Sequence, residues 1–358
     1  MSTTDHQLMK ELTETEGLPG FEDRVYNVMK REISSHTNEV ETDNLGSIVG
    51  KVGSGKNKVL LAGHLDEVGF IVSAITKQGF LRIKPLGGWW GHVLLSQRVK
   101  VLTKSRDLTG IVGSKAPHVL PPEERKKVLP IDKMFVDIGA SSQEEAESFG
   151  VSVGDPVATV CPFEPLANEK LLLSRTWDNR AGCYIALKVL EKLKGESLPN
   201  TLYSGATVQE EVGLRGAETL ANKIAPQIAF ATDVGVAGDI PGMNQEESGL
   251  KLGDGPIIYL MDRSMIPHRK LRDFVMETAK QNNIPYQVDI MSGGGTDAGK
   301  FHVAHEGVPT LAVSVPARYI HSHVSVVHYD DLENAVKLLC EVIKKLDDTM
   351  VQKITGLE

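Results

Sequence analysis

The stretch Thr207-Val208-Gln209-Glu210-Glu211-Val212-Gly213-Leu214-Arg215-Gly216 sets two adjacent carboxylates where a fold alone would not ask for them. Before it, Thr201 to Val208 is small, β-branched or apolar and reads as a buried strand. After it, Gly213 and Gly216 precede a helix-like segment from Ala217 to Ile224. Glu210 and Glu211 are therefore expected at the carboxyl end of a strand, the edge at which open α/β sheets hold their ligands. Extended backbone points neighbouring side chains in opposite directions, so one glutamate can hold a metal while the other moves a proton. Taken alone, the pair also reads as a solvated acidic turn.

Working outward, the same arrangement recurs. Lys58 to Asp66 is a short apolar strand that closes on His64 and Asp66, two apart and hence on one face. A strand at Gln227 to Thr232 runs into Asp233, and one at Thr310 to Val315 precedes Arg318-Tyr319-Ile320-His321-Ser322-His323. The strand Lys170 to Ser174 leads to Trp177-Asp178-Asn179-Arg180. A helix then runs to about Lys194, with Ala181, Ile185, Val189, Leu190 and Leu193 on its apolar face and Gly195 as its stop. A final helix from near Asp330 buries Leu332, Ala335, Val336, Leu339, Ile343 and Leu346. At the other end, residues 5–16 and 21–34 read as helices, and Glu39 to Val52 as a strand pair.

From about Gly69 the texture changes to short strands separated by glycines and polar turns, the pattern of a small all-β barrel or sandwich. Pro117 to Lys127, with its prolines and charges, reads as an exposed loop. The fold class is therefore α/β, a catalytic-type domain with a central mixed sheet and an inserted all-β, barrel-like domain. The boundaries fall at 1–68, 69–164 and 165–358, and the two outer parts share one sheet.

The 358 residues carry a net charge of -8, which points away from a nucleic-acid or anionic-membrane surface. No leader-type apolar core occupies the first thirty residues and no run reaches membrane-spanning length. Cys161, Cys183 and Cys340 have no metal or redox spacing. A cytoplasmic protein with reduced cysteines is expected.

His64, Asp66, Asp178, Glu210, Glu211, Asp233, Asp297 and His321 all sit at strand ends or just beyond. Each has a plainer reading: Asp178 could cap the helix that follows, Asp233 could make an Asx-turn, and Gly293-Gly294-Gly295 could cradle phosphate were Asp297 not beside it. Their shared placement at successive strand ends favours one site. Imidazoles and carboxylates without a thiolate suit Zn²⁺, Co²⁺ or Mn²⁺, and the excess of carboxylates suits two close ions with one carboxylate between them. Two such ions activate water and stabilise an oxyanion, and a free glutamate can carry the proton to a leaving amine.

His64-Leu65-Asp66-Glu67-Val68-Gly69, Trp177-Asp178-Asn179-Arg180, Gln209 to Ala217, Gly294-Gly295-Thr296-Asp297-Ala298 and Arg318-Tyr319-Ile320-His321-Ser322 together resemble the dinuclear metallo-aminopeptidases of the TET and glutamyl aminopeptidase group. The resemblance runs from about Gly17 to Leu346. It implies an α/β catalytic domain with an inserted barrel-like domain, assembly through the insert into homo-oligomers, commonly tetrahedral dodecamers, and hydrolysis of peptides with free N-termini. It also implies that Asp178 bridges two metal ions, that His64 and Asp233 complete one and Glu211 and His321 the other, and that Glu210 is the general acid/base. Asp66 would orient the His64 imidazole. His323 competes with His321 by position alone. Two other readings remain. A dinuclear zinc deacylase or carboxypeptidase on the same fold would hold a substrate carboxylate with a base such as Arg318. A non-catalytic metal scaffold would have no use for Glu210. The Trp89-Trp90 pair and the loop near Pro121-Pro122 are candidate subunit contacts.

Overall fold

Val59, Leu60, Leu61 and Ala62 have 0% solvent exposure, because their strand is covered on both faces and paired along both edges. A continuous apolar run of this kind is what a central parallel strand requires. In the computed structural model, which describes residues 2–356, two helices lead to it. They are α1 (Thr3–Glu14) and α2 (Asp23–His36), followed by β1 (Val40–Thr42), β2 (Ile48–Gly53) and the central strand β3 (Lys58–His64).

The chain then leaves the sheet to build a closed barrel. Its strands are β4 (Gly69–Ile75), β5 (Leu81–Leu86), β6 (Arg98–Leu102) and β7 (Asp107–Gly113), then, after the short helix α3 (Pro122–Arg125), β8 (Phe135–Asp137). After α4 (Gln143–Ser148), β9 (Pro156–Thr159) closes the barrel against β4 and β6. Phe70, Val72, Leu81, Ile83, Val99, Val101 and Val136 fill its own core. The exposed loop expected at Pro117 to Lys127 is exposed, and holds α3.

The return begins with β10 (Glu164–Pro165) and β11 (Leu171–Ser174). There follow α5 (Trp177–Leu193), β12 (Thr201–Thr207), α6 (Arg215–Ile224), β13 (Ile228–Ala231), β14 (Val234–Val236), β15 (Ile257–Met261), α7 (Arg269–Gln281) and β16 (Gln287–Ile290). The chain ends with α8 (Ala298–Phe301), β17 (Thr310–Arg318), β18 (Ser325–His328), α9 (Tyr329–Lys344) and α10 (Asp348–Thr355). The mixed sheet has the order β1-β2-β12-β3-β13-β17-β18-β11-β10, with β14 and β15 also pairing with β17 and β16 pairing with β15. The outer parts of the chain thus do share one sheet: β3 from the first lies between β12 and β13 from the second, parallel to both.

Helices α1, α2, α5, α7 and α9 cover one face, and α6 and α8 the other. The stripe expected on the last long helix is buried as read, at 0% exposure for Leu332, Ala335, Val336, Leu339, Ile343 and Leu346. Helix α5 lies so close to β3 that a Cβ on Gly63 would stand 2.6 Å from the main chain of Gly182. The close approach of the two glycines brings the start of α5 to the end of β3.

Candidate metal centre and active site

Strands β3, β12, β13 and β17 run parallel and end on the same edge of the sheet, with Thr207 level with His64 and Ala231 level with Ala62. Side chains just past those ends converge. His64 Nε2 lies 3.4 Å from Asp178 Oδ1, 3.8 Å from Glu210 Oε2 and 3.9 Å from Asp233 Oδ1. His321 Nε2 lies 3.4 Å from Asp178 Oδ2 and 3.6 Å from Glu211 Oε2. Two sets of donor atoms are close enough to hold an ion, His64 with Glu210 and Asp233, and His64 with Asp178 and Glu211. Geometry alone therefore leaves Glu210 near enough to be a donor as well as a base.

One local expectation is corrected, and the plainer reading of Asp178 falls. The strand bearing the glutamate pair stops at Thr207, and Gln209 takes the left-handed region at φ 55. A turn then closes with the amides of Gly213 and Leu214 both donating to Glu210 O at 2.9 Å. Glu210 and Glu211 are not on extended backbone, and both carboxylates face the cluster, with side chains 10% and 5% exposed. Asp178 does not cap its helix: it has non-helical φ/ψ of -85 and 102, and it is the Asn179 side chain that accepts from the Gly182 amide at 2.9 Å where the regular turns begin. The peptide between Asp178 and Asn179 is cis.

Asp66 has contacts beyond the imidazole. It lies beyond the end of β3, and its carboxylate does not take the imidazole as its main partner. Oδ1 accepts from the Glu210 amide at 2.9 Å and Oδ2 from the Glu211 amide at 3.0 Å. His64 Nδ1 is held instead by the main-chain oxygen of Asp66 at 3.0 Å, with Oδ1 at 3.5 Å. One residue thus orients the imidazole through its backbone and the glutamate pair through its side chain. The loop is braced from behind: Arg180 Nε donates to Leu65 O at 2.9 Å, and buried Glu67 accepts from Arg175 and from the Gly17 amide.

Burial is the first influence on Asp178, Glu210, Glu211, Asp233 and Asp297. It pushes Glu211 up to about 8, helped by Asp178, and Asp297 up to about 7. It also raises Glu210 and Asp233 well above the usual carboxylate range, against the pull of His64. Burial alone would raise Asp178 too, but the His321 and His64 hydrogen bonds outweigh it and hold that carboxyl low. The imidazoles are raised despite burial, His64 by Glu210, Asp178 and Asp66, and His321 up to about 10 by Asp178 and Glu211. Glu211 Oε1 and Asp297 Oδ1 are buried without a hydrogen-bond partner. A cation among these oxygens would satisfy both the repulsion and the orphaned atom of Glu211, so the donor set fits a metal.

His323 joins none of these contacts, and Arg318 is held by Asp239 through Nε at 2.9 Å and Nη2 at 2.6 Å. Asp297 sits at the start of α8, where its Oδ2 accepts from the Thr207 hydroxyl. Sequence reasoning missed Gly88, whose carbonyl meets His321 Nδ1 at 2.9 Å. Of the tryptophan pair, Trp89 stacks on Phe70 within the barrel at 4.8 Å, and Trp90 is 61% exposed.

Fold and donor set together define the class: an α/β enzyme with a candidate metal centre at its sheet edge and a barrel inserted after the central strand. The sequence profile of the M42 glutamyl aminopeptidase family matches residues 46–338, and the chain belongs to that family of aminopeptidases. It is 36% identical over 351 residues to the glutamyl aminopeptidase of Lactococcus lactis subsp. cremoris, covering 97% of this chain and 98% of that one. Among solved structures it is similar to the TET aminopeptidase of Thaumarchaeota archaeon SCGC AB-539-E09, with a TM-score of 0.96, 46% identity and coverage of 98% and 99%. The TET1 peptidase of Pyrococcus horikoshii, which can assemble into a tetrahedron or a large octahedral shell, matches with a TM-score of 0.85, 34% identity and coverage of 96% and 100%. Among the described residues no helix is long and apolar enough to cross a membrane.

Proposed function

We propose that the centre holds two divalent ions and that the enzyme removes N-terminal residues from peptides by hydrolysis. One observation carries this: Asp178 turns one oxygen to His64 and the other to His321, each at 3.4 Å. A carboxylate facing two imidazoles in this way suits a bridge. In this reading His64 and Asp233 share one ion with Asp178, and Glu211 and His321 share the other. The nitrogen and oxygen donors, without thiolate, suit Zn²⁺, Co²⁺ or Mn²⁺. When bound, such ions polarise a scissile carbonyl and lower the pKa of water. Glu210 takes the proton from the water that attacks the carbonyl carbon and returns it to the amine as the C–N bond breaks. Asp66 holds Glu210 in place for both transfers.

The deacylase or carboxypeptidase alternative needs a free cation for a substrate carboxylate, and the Arg318 guanidinium is already paired with Asp239. The same proposal assigns residues 69–164 as the inserted domain through which copies meet. A tetrahedral dodecamer is the form proposed, by analogy with the Pyrococcus horikoshii relative that can form a tetrahedron and with the solved PhTET1 dodecamer. A cytoplasmic location accords with three unpaired cysteines.

The test is a panel of aminoacyl-nitroanilides and of peptides with free or acetylated N-termini, after reconstitution with each ion. Turnover that requires both a metal and a free N-terminus is expected; equal cleavage of acetylated peptides overturns the reading. Asp178→Asn should lose metal and activity together, and a variant that keeps two ions refutes the bridge.

A further inference from the structure

The loop that joins β5 to β6 carries Gly87, Gly88, Trp89 and Trp90. It belongs to the barrel, yet it rests on two side chains of the large domain at one end of the donor cluster. Gly88 O lies 2.9 Å from His321 Nδ1. A Cβ on Gly88 would stand 3.0 Å from that same nitrogen. A Cβ on Gly87 would stand 3.2 Å from Glu211 Oε2 and 2.6 Å from Val68 Cγ1, and Gly87 has a φ of +81 that disfavours any side chain. Two successive glycines let the main chain lie directly against Glu211 and His321. The hydrogen bonds of His64 and Asp233 come instead from within the large domain, from Asp66 O, Cys183 Sγ and the Val234 amide.

The loop is anchored rather than loose. Trp89 Nε1 donates to Gly69 O at 3.1 Å, and its ring stacks on Phe70, a fully buried residue of the barrel core. Both partners lie on β4, which follows Asp66 and Glu67 by only a few residues. His321 needs such a support. Its side chain is 39% exposed, and its backbone takes the left-handed region at φ 54. A carbonyl that accepts the Nδ1 proton fixes the tautomer that presents the Nε2 lone pair to the cluster.

We propose that the Gly87-Gly88-Trp89 loop is a positioning element for one half of the metal centre, the half formed by Glu211 and His321. This rests on reading those two residues as ligands. The barrel then does more than provide surface: it completes the active site, and its seating on the large domain sets how tightly one of the two ions is held.

The experiment titrates Zn²⁺ into chelator-stripped protein against a competing chromogenic chelator, resolving the two binding steps. Gly88→Ala should leave one step unchanged and weaken the other by about 10–100-fold, the usual cost of losing a ligand's outer support. Trp89→Phe keeps the stack but loses the N–H, and should weaken the same step to a smaller degree. Should Gly88→Ala fail to give native circular dichroism, Trp89→Phe decides. Wild-type affinity at both steps in the folded variants, or equal weakening of both, overturns the proposal. His321→Ala separates the premise from the inference. If it keeps both steps, His321 is no ligand. If it loses one while Gly88→Ala and Trp89→Phe lose nothing, the ligand stands and the positioning role falls.

Discussion

Replacing Asp66 by asparagine should separate the two jobs that this residue performs. The carboxylate has 0% exposure and accepts one amide on each oxygen, at 2.9 and 3.0 Å. Hydrogen bonds to a charged group contribute about 1.5–3 kcal/mol, and a buried donor left without a partner costs about 1–3 kcal/mol. Asparagine keeps one acceptor oxygen, loses the charge and turns its own N–H group toward a backbone donor. The expected destabilisation is about 3 kcal/mol, or a fall in Tm of about 4 °C, because the unfolding entropy of a chain this long allows only about 1–1.5 °C per kcal/mol. The displaced glutamate pair should lower kcat by roughly 10²-fold, the cost of about an ångström of misplacement. Metal content at His64 should nonetheless persist, because its Nδ1 is held by the Asp66 main-chain oxygen at 3.0 Å, which the substitution leaves alone. Differential scanning calorimetry, metal analysis and steady-state kinetics on one preparation make the test. Loss of both ions in step with loss of activity would show that the side chain acts through the imidazole, whereas loss of the Glu211–His321 ion alone would follow from the displaced Glu211, and unchanged Tm with unchanged kcat would remove the amide clamp from the account.

Glu210→Gln should retain metal and lose about 10²-fold or more in kcat, since the amide cannot accept a proton; metal loss would instead make Glu210 a ligand. The metal-free protein should lose stability as pH rises from about 5 to 8, followed by thermal shift. Glu211, raised to about 8, and Asp297, raised to about 7, keep protons in the native state that the unfolded chain has already released. His321, raised to about 10 once Asp178 outweighs its burial, adds stability that is complete below its unfolded pKa and is lost as pH rises through 10, in the same direction. Saturating Zn²⁺ should reverse the trend, because binding favours the deprotonated donors, and a metal-free Tm that climbs with pH refutes the assignment. Light scattering of the metal-replete protein at low micromolar concentration should give a large homo-oligomer, and a monomer would defeat the proposed role of residues 69–164.

What could be read from the residues was whatever depends on chain-local pattern. The buried stripe of α9, the apolar run of β3 and the change of texture at Gly69 follow from periodicity, and the structure contains each. The converging donors could be located because parallel strands deliver their last residues to one edge. Contacts made by main-chain atoms across the fold leave no such mark. Asp66 meets the amides of Glu210 and Glu211 more than a hundred positions away, and nothing in its own neighbourhood records them. Gly87-Gly88 reads like any turn until the imidazole resting on it is seen. The left-handed Gln209, which swings both glutamates into one site, is a non-glycine residue in a glycine-favoured conformation, against its own propensity.

The place of β3 in the sheet has a consequence for biosynthesis. This strand is made early, but its two partners, β12 and β13, emerge roughly 140 residues or more later, a wait of about 7–30 s at ordinary elongation rates. In that interval the whole barrel has left the ribosome with its own core complete in sequence, while Val59 to Ala62 remain an apolar strand with both edges unclaimed. Nascent chains are thus exposed to edge-to-edge misassociation at this segment. Under the proposed ligand assignment the two halves of the centre are also made at different times: His64, Asp178 and Asp233 precede His321, which follows His64 by more than two-thirds of the chain.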